Sequence, residues 1–381
     1  MPSAAPRPFR IDVPETVLHD LRARLDAARL LDDSPRRPAS GMTAAYLREL
    51  VSSWAAWDWR AREEWLNESP QFTATIDDAE LHFVHRRASD PSAPALLVMH
   101  GWPHTFALQL DFARLLPDFH VVVPSLPGFG FSSPYRRGPL TEERMAATMH
   151  TLMTEVLGYG RYLTYGEDVS ANVSDLLASR HPDHVAGIIA THAHFPTNEE
   201  RAATRDAQER AFFARLEADQ GAESGYAHLQ GTRPDTLAAA LNDSPTGLLA
   251  WLTEKLVEWS DVPAGSPPGA KPADPREVEQ LLSRERILTE ATIYWVTQSI
   301  GSSFRPYHES VETPMAPTAV PAAVFIQRHE ADYPESLAHR FYRDLRVFAR
   351  LERGGHFAAA EVPHDMADRV RGFATELGLL A

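Results

Sequence analysis

Three short stretches hold residue types that could act together on one substrate. The first, Tyr165-Gly-Glu-Asp168-Val-Ser170, falls where a predicted strand gives way to a predicted helix. A sharp turn at such a junction lifts one side chain above the sheet and leaves backbone N–H groups free at the helix start. Serine esterases carry Gly-x-Ser-x-Gly at this turn. Here the central residue is Asp168, and the nearest serine, Ser170, comes two residues late. A carboxylate attacks carbonyls poorly but suits displacement at a saturated carbon, which leaves an ester on the enzyme. Taken alone, Asp168 has a plainer reading as a helix N-cap, the commoner role for Asp at such a place.

The second stretch, His100-Gly-Trp-Pro103, directly follows a predicted strand. The backbone N–H groups of Trp102 and Val169 could together form an oxyanion hole at the Asp168 turn. The third, Arg353-Gly-Gly-His356-Phe-Ala-Ala, lies between a late strand and the last helix. Two glycines permit a tight loop that raises His356 above the sheet, and histidine is the natural base for hydrolysing an ester near neutral pH. The chain has 17 His, so placement rather than type singles this one out. A carboxylate must hold the His tautomer and balance its charge. Glu330, Asp332 and Glu335 all follow the strand predicted at Ala322–Ile326, and spacing leaves the three open. No carboxylate follows the preceding strand, at Thr191-His-Ala-His194.

These stretches need a frame. Ala95–Met99 and His120–Val123 are short apolar runs without alternation, as in buried parallel strands. Further strands are read at Tyr162–Tyr165, Val185–Ala190, Ala322–Ile326 and Arg346–Ala349. Helices are read at Leu140–Leu157, Ser170–Ser179, Pro334–Phe341 and Asp365–Leu377. This alternation predicts an α/β fold with a mostly parallel central sheet. From Phe195 to Tyr307 it stops, and a mainly helical block with a Pro/Gly-rich loop at Val262–Pro275 reads as a lid. Residues 9–70 read as mainly helical, with a loop at Leu31–Gly41 and a hairpin from Thr73–Ile76 to Leu81–Val84. The expected organisation is an N-terminal extension over 1–90, a core over 91–194 and 311–381, and a lid over 195–310.

Composition narrows the partners. A formal net charge of −15 argues against nucleic acid and against an anionic membrane surface. There are no cysteines, which excludes disulfides and thiolate chemistry. No signal peptide or membrane span is read, so the expected location is cytoplasmic.

Together these residues resemble the microsomal-type epoxide hydrolase family of the α/β-hydrolase fold, over nearly the whole chain. The resemblance is carried by Phe9-Arg-Ile-Asp-Val-Pro14, Asp58-Trp59-Arg60, Pro70-Gln-Phe72, His100-Gly-Trp-Pro103, Pro124–Ser132, Asn242-Asp-Ser-Pro245 and Gly354–Ala358. It implies Asp168 as nucleophile, His356 as base and Glu330 as acid. It also implies that Tyr226, in Ser224-Gly-Tyr226, and Tyr307, in Phe304-Arg-Pro-Tyr307, bind the epoxide oxygen from the lid. Tyr294 is their rival but sits in an apolar helix. The implied reaction turns a small, largely apolar epoxide and water into a vicinal diol, with no metal or organic cofactor. Family resemblance and the large lid point to a homodimer.

Three departures from the family pattern stand out. Glu167 replaces a glycine beside Asp168, His104 takes a place usually held by a small residue, and Gln327-Arg-His-Glu330 lacks the usual Phe-Pro before the acid. Two rivals remain. A haloalkane dehalogenase would use the same Asp chemistry and draw on Trp102. A small-molecule-binding protein on a hydrolase core would not turn over.

Overall fold

The computed structural model describes residues 5–35, 41–262, 272, 274–330 and 332–380, apart from the side chains of 219–223. The predicted Pro/Gly-rich loop at Val262–Pro275 lies mostly outside these residues, as does part of the loop at Leu31–Gly41.

Nine strands form one sheet: β1 (Arg7–Phe9), β2 (Gln71–Ile76), β3 (Ala79–Arg86), β4 (Ala95–Met99), β5 (His120–Pro124), β6 (Tyr162–Gly166), β7 (Val185–Ala190), β8 (Thr318–Ile326) and β9 (Tyr342–Arg350). The spatial order is β1-β2-β3-β5-β4-β6-β7-β8-β9. From β5 to β9 all neighbours are parallel, whereas β1, β2 and β3 join antiparallel to one another and to β5. The predicted hairpin is β2–β3, turned at Asp77 with φ 55°. The three-residue β1 was not anticipated; it ends at Phe9, where the stretch read as helical begins.

The apolar runs lack alternation because helices cover both faces of the sheet. Leu97, Met99 and Val122 enter one core, while Leu96, Val98, Val121 and Val123 enter the other. Pro321 is tolerated within β8 because the pairing with β9 shifts register there.

The helical block lies between β7 and β8 and roofs the C-terminal ends of the parallel strands. The N-terminal helices clasp it: Trp54 Nε1 donates to Thr292 Oγ1 and Arg62 Nε to Thr289 Oγ1, each at 2.8 Å. Both threonines belong to the helix Arg284–Thr297. Among the described residues no helix is long and apolar enough to cross a membrane.

Candidate active site

Strand β6 ends at Gly166, and the chain turns through Glu167 and Asp168 into the helix Val169–Arg180. Asp168 holds φ 56° and ψ −132°, a conformation that persists only where its surroundings impose it. The packing leaves no slack. A Cβ on Gly166 would lie 2.3 Å from the Ser170 carbonyl oxygen, and one on Gly101 would lie 2.4 Å from Asp168 Cβ. Ser170 locks the turn from beneath: its Oγ accepts from Glu167 N–H at 2.9 Å and lies 3.0 Å from the Met99 carbonyl.

The Asp168 carboxylate makes no helix-cap bond. Its Oδ1 accepts from the Trp102 N–H at 2.9 Å, and its Oδ2 faces His356 Nε2 at 3.5 Å. Val169 begins the helix, so its N–H is among those the helix itself leaves unbonded. Asp168, Trp102, Val169, Tyr226, Tyr307, His192 and Glu330 all line one cavity of about 280 Å³.

His356 is held from its backbone and its ring. Its N–H donates to the Trp259 carbonyl at 2.9 Å, and the Trp259 ring packs 4.8 Å from the imidazole. Gly354 has φ 101°, and a Cβ on Gly355 would meet the Trp259 carbonyl oxygen at 2.5 Å, so both glycines are required. Burial pushes the His356 pKa well below the usual imidazole value, and His192, His104 and His329 push the same way.

The far side of the imidazole differs from the expectation that Glu330 would sit there. His356 Nδ1 lies 3.1 Å from His192 Nε2, and His192 Nδ1 accepts from the Asp168 N–H at 3.2 Å. A backbone N–H can only donate, so neutral His192 carries its proton on Nε2 and gives it to His356 Nδ1. Neutral His356 then carries its own proton on Nε2, aimed at Asp168. Glu330 ends a short 3-10 turn, Arg328–Glu330, and lines the same cavity as His192. Burial raises its pKa, partly offset by His192 and Arg215. The other two acids lie elsewhere: Asp332 pairs with Arg215 at 2.5 Å, and exposed Glu335 faces His339. Sequence reasoning passed over His192 because it sought only a carboxylate after β7. The signal available was position, at the C-terminal end of the strand beside β6.

The two tyrosines come from facing lid helices, Gly225–Thr232 and Arg305–Glu309. These approach closely, since a Cβ on Gly231 would lie 3.2 Å from the Tyr307 carbonyl oxygen. The Tyr226 ring stacks on Trp102 with centroids 5.4 Å apart, and Tyr307 meets both rings edge-on at 6.0 Å. Burial first raises both phenol pKa values; the Asp168 charge comes next for Tyr226, and Tyr226 and then Asp168 for Tyr307, so both hydroxyls stay protonated. Tyr294 is fully buried in the core.

An aspartate on a strand–helix turn, a backbone N–H on its carboxylate, a facing histidine and two lid phenols form a coherent constellation. Comparison with known proteins agrees with it. A family model described as "Epoxide hydrolase N terminus" matches residues 6–108, and one described as "alpha/beta hydrolase fold" matches 94–256. Epoxide hydrolase 1 of Sus scrofa is 30% identical, covering 98% of this chain and 89% of the relative. The chain belongs to the epoxide hydrolase family. Among solved structures, juvenile hormone epoxide hydrolase from Bombyx mori superposes with a TM-score of 0.86 at 25% identity, covering 98% of this chain and 95% of that one. Aspergillus niger epoxide hydrolase gives 0.82 at 27%, covering 98% and 97%.

Within this family member, two of the sequence departures prove to be one feature. Glu167 turns away from the cavity and is fully buried. Its Oε1 accepts from the Tyr165 hydroxyl at 2.6 Å and the Ala359 N–H at 2.8 Å, and its Oε2 from Gln109 Nε2 at 2.9 Å. His104 Nε2 lies 3.5 Å from the same Oε2. Burial opposes ionisation of Glu167, but His104, Tyr165 and Ala359 outweigh it and hold its pKa below the usual value. The carboxylate thus ties the Asp168 turn to the segment after Trp102 and to the segment after His356.

Proposed function

We propose that this chain converts a small epoxide and water to a vicinal diol through an ester on Asp168. The observation that carries the reading is the division of labour between the two Asp168 oxygens. Oδ1 sits on the Trp102 N–H, while Oδ2 faces the cavity and His356. Oδ2 attacks an epoxide carbon, the carbon–oxygen bond of the ring breaks, and Tyr226 or Tyr307 gives a proton to the leaving alkoxide. Oδ1 becomes the ester carbonyl oxygen, already beside the N–H groups of Trp102 and Val169. Water then attacks the ester carbon, losing a proton to His356, and those two N–H groups hold the oxyanion; as it collapses the carbon–Oδ2 bond breaks, the diol leaves with Oδ2 and takes the His356 proton, and the proton of the new Asp168 carboxyl restores the phenol.

The second step requires His356 to present a lone pair at Nε2, so its proton must sit on Nδ1. Once Oδ2 is esterified, Nε2–H loses its anionic acceptor. The Nδ1–H tautomer then needs a partner, and of the carboxylates lining the cavity Glu330 is the one that follows β8, the strand before the His356 loop. We assign it the role of balancing imidazolium charge, reached when His192 gives up its contact. A cytoplasmic location and a homodimer remain part of this reading.

One observation favours halide chemistry instead: Trp102 Nε1 is buried without a hydrogen-bond partner. Halide release from chloroalkanes tests that reading. The direct test of the epoxide mechanism is a single turnover in heavy-oxygen water with enzyme in excess. The first diol should carry no label, Asp168 should gain it, and His356→Gln should strand the ester as added mass on the Asp168 peptide. Label in the first diol means direct attack by water and removes the covalent mechanism.

A further inference from the structure

The cavity above Asp168 has a polar wall that the reaction cycle leaves unused. Glu142 and Asn172 both line it. Glu142 opens the helix Glu142–Thr151, and Asn172 lies one turn beyond Asp168 in Val169–Arg180. Asn172 Nδ2 donates to Glu142 Oε1 at 3.2 Å; among the described residues no other hydrogen bond reaches that carboxylate.

Glu142 is not required for the helix start. Thr141 already caps it, its Oγ1 accepting from the Arg144 N–H at 3.3 Å. Glu143 supplies a second first-turn carboxylate, exposed and paired with Arg180 at 2.7 Å. Glu142 turns inward instead. There burial raises its pKa, the Asn172 bond lowers it, and the Asp168 charge raises it again. A half-buried carboxylate with a spare acceptor is costly unless something completes its bonding. Among the Asp, Glu, Lys and Arg side chains, only acidic ones line the cavity. Glu142, Asp168 and Glu330 line the cavity, and no Lys or Arg lines it among the described residues. The rest of the wall includes Phe129, Ala171, Ala193 and Phe195.

We infer that Glu142 and Asn172 form a subsite for a hydrogen-bond donor, a hydroxyl or an ammonium, carried on the arm of the epoxide. The same wall turns away epoxides whose arm ends in an anion. This rests on the epoxide-opening reading above and narrows its substrate class from largely apolar epoxides to donor-bearing ones. Asn172 stands four residues past Asp168, a rise of about 6 Å along the helix. An arm of about five bonds therefore spans from ring to subsite. A hydroxyl there donates to the free Glu142 oxygen. A carboxylate would meet like charge and find only the Asn172 amide.

The test compares three terminal epoxides of matched length: epoxyheptane, epoxyhexanol and epoxyhexanoate. Diol formation is measured as kcat/KM for the wild type, Glu142→Leu and Glu142→Gln, with thermal melting to confirm folding. The wild type should prefer the alcohol to the alkane by about tenfold, the worth of one charge-assisted hydrogen bond, and should barely turn over the epoxyhexanoate. Glu142→Leu should reverse the alcohol-to-alkane ratio. Glu142→Gln should keep part of it and admit the epoxyhexanoate. Ratios between substrates within one variant are insensitive to a general loss of activity, and Gln covers the case where Leu does not fold. A wild-type enzyme that prefers the alkane, or ratios unchanged in both variants, overturns the subsite while leaving the epoxide reading intact. No diol from any of the three substrates overturns both.

Discussion

Replacing Glu167 by alanine removes the acceptor shared by three buried donors: the Tyr165 hydroxyl, the Ala359 N–H and the Gln109 amide. Each donor left without a partner costs about 1–3 kcal/mol, so the variant should lose about 5 kcal/mol of stability. Unfolding entropy near 2.1 cal/mol/K per residue gives roughly 0.8 kcal/mol/K for a chain this long, so the melting temperature should fall by about 6 °C. Glutamine should behave differently. Gln109 Oε1 is buried with no partner, so an amide flip at Gln109 would let it accept from the new glutamine. The glutamine oxygen would still serve Tyr165 and Ala359. Glu167→Gln should therefore cost less than about 2 kcal/mol. Because Glu167 ties together the loops bearing Asp168, Trp102 and His356, the alanine variant should lose kcat about 100-fold with little change in KM, and glutamine should recover most of it. The assay pairs melting curves with diol formation. If glutamine is as damaging as alanine, the charge opposite His104 matters rather than the hydrogen-bond geometry. If alanine costs under about 1 kcal/mol, the tie is not structural at all.

Two pH effects follow from buried groups. Burial pushes the Glu290 carboxyl up to about 7 against an ordinary 4.5. Folding therefore retains a proton that the unfolded chain gives up, and the stabilisation this brings is present below pH 4.5 and lost as pH rises to about 7. Glu290→Gln stays neutral throughout, so its stability relative to wild type should improve by roughly 3 kcal/mol between pH 5 and pH 8 in urea unfolding; a difference independent of pH would refute this. The second effect concerns ester hydrolysis. Since burial and the neighbouring histidines hold the His356 pKa well below the usual imidazole value, the acid limb of the kcat profile should lie well below about pH 6.5, and a limb centred above pH 7 would contradict the assignment.

The frame was legible in the sequence wherever burial on both faces left a continuous apolar run. Ala95–Met99 and Val185–Ala190 have the predicted bounds, and the other core strands differ at their ends. Edge strands were harder to see. β9 is half-exposed along most of its length, so its pattern is diluted, and it begins four residues earlier than the reading at Arg346. The short β1 is held by pairing with β2 and has no pattern of its own. Its neighbours Ile11 and Val13 are fixed by N–H bonds donated to Asn67 and Glu63, contacts between residues some fifty positions apart that periodicity cannot register.

Motifs located the side chains of the site, because glycines betray close backbone approach. Gly101, Gly166, Gly354 and Gly355 all stand where a Cβ would collide. What motifs could not convey was which polar groups face each other. Glu167 and His104 each looked like an isolated departure, one an extra charge beside the nucleophile and the other an oversized residue in a small place. Packed together they fill the space of the small residues: Glu167 accepts from Tyr165, Ala359 and Gln109, while His104 Nε2 accepts from the Gly101 N–H at 3.2 Å and lies 3.5 Å from the Glu167 carboxylate. His192 shows the same limit more sharply. As a residue type after β7 it is one of many histidines. Its importance comes from a single donor, the Asp168 N–H, which fixes the proton on His192 and through it the proton on His356. On the proposed mechanism His356 therefore turns its Nε2 proton towards Asp168 Oδ2, 3.5 Å away, before the ester forms and must exchange tautomers after it, so the network around His192 bears on the hydrolytic step more than on ring opening.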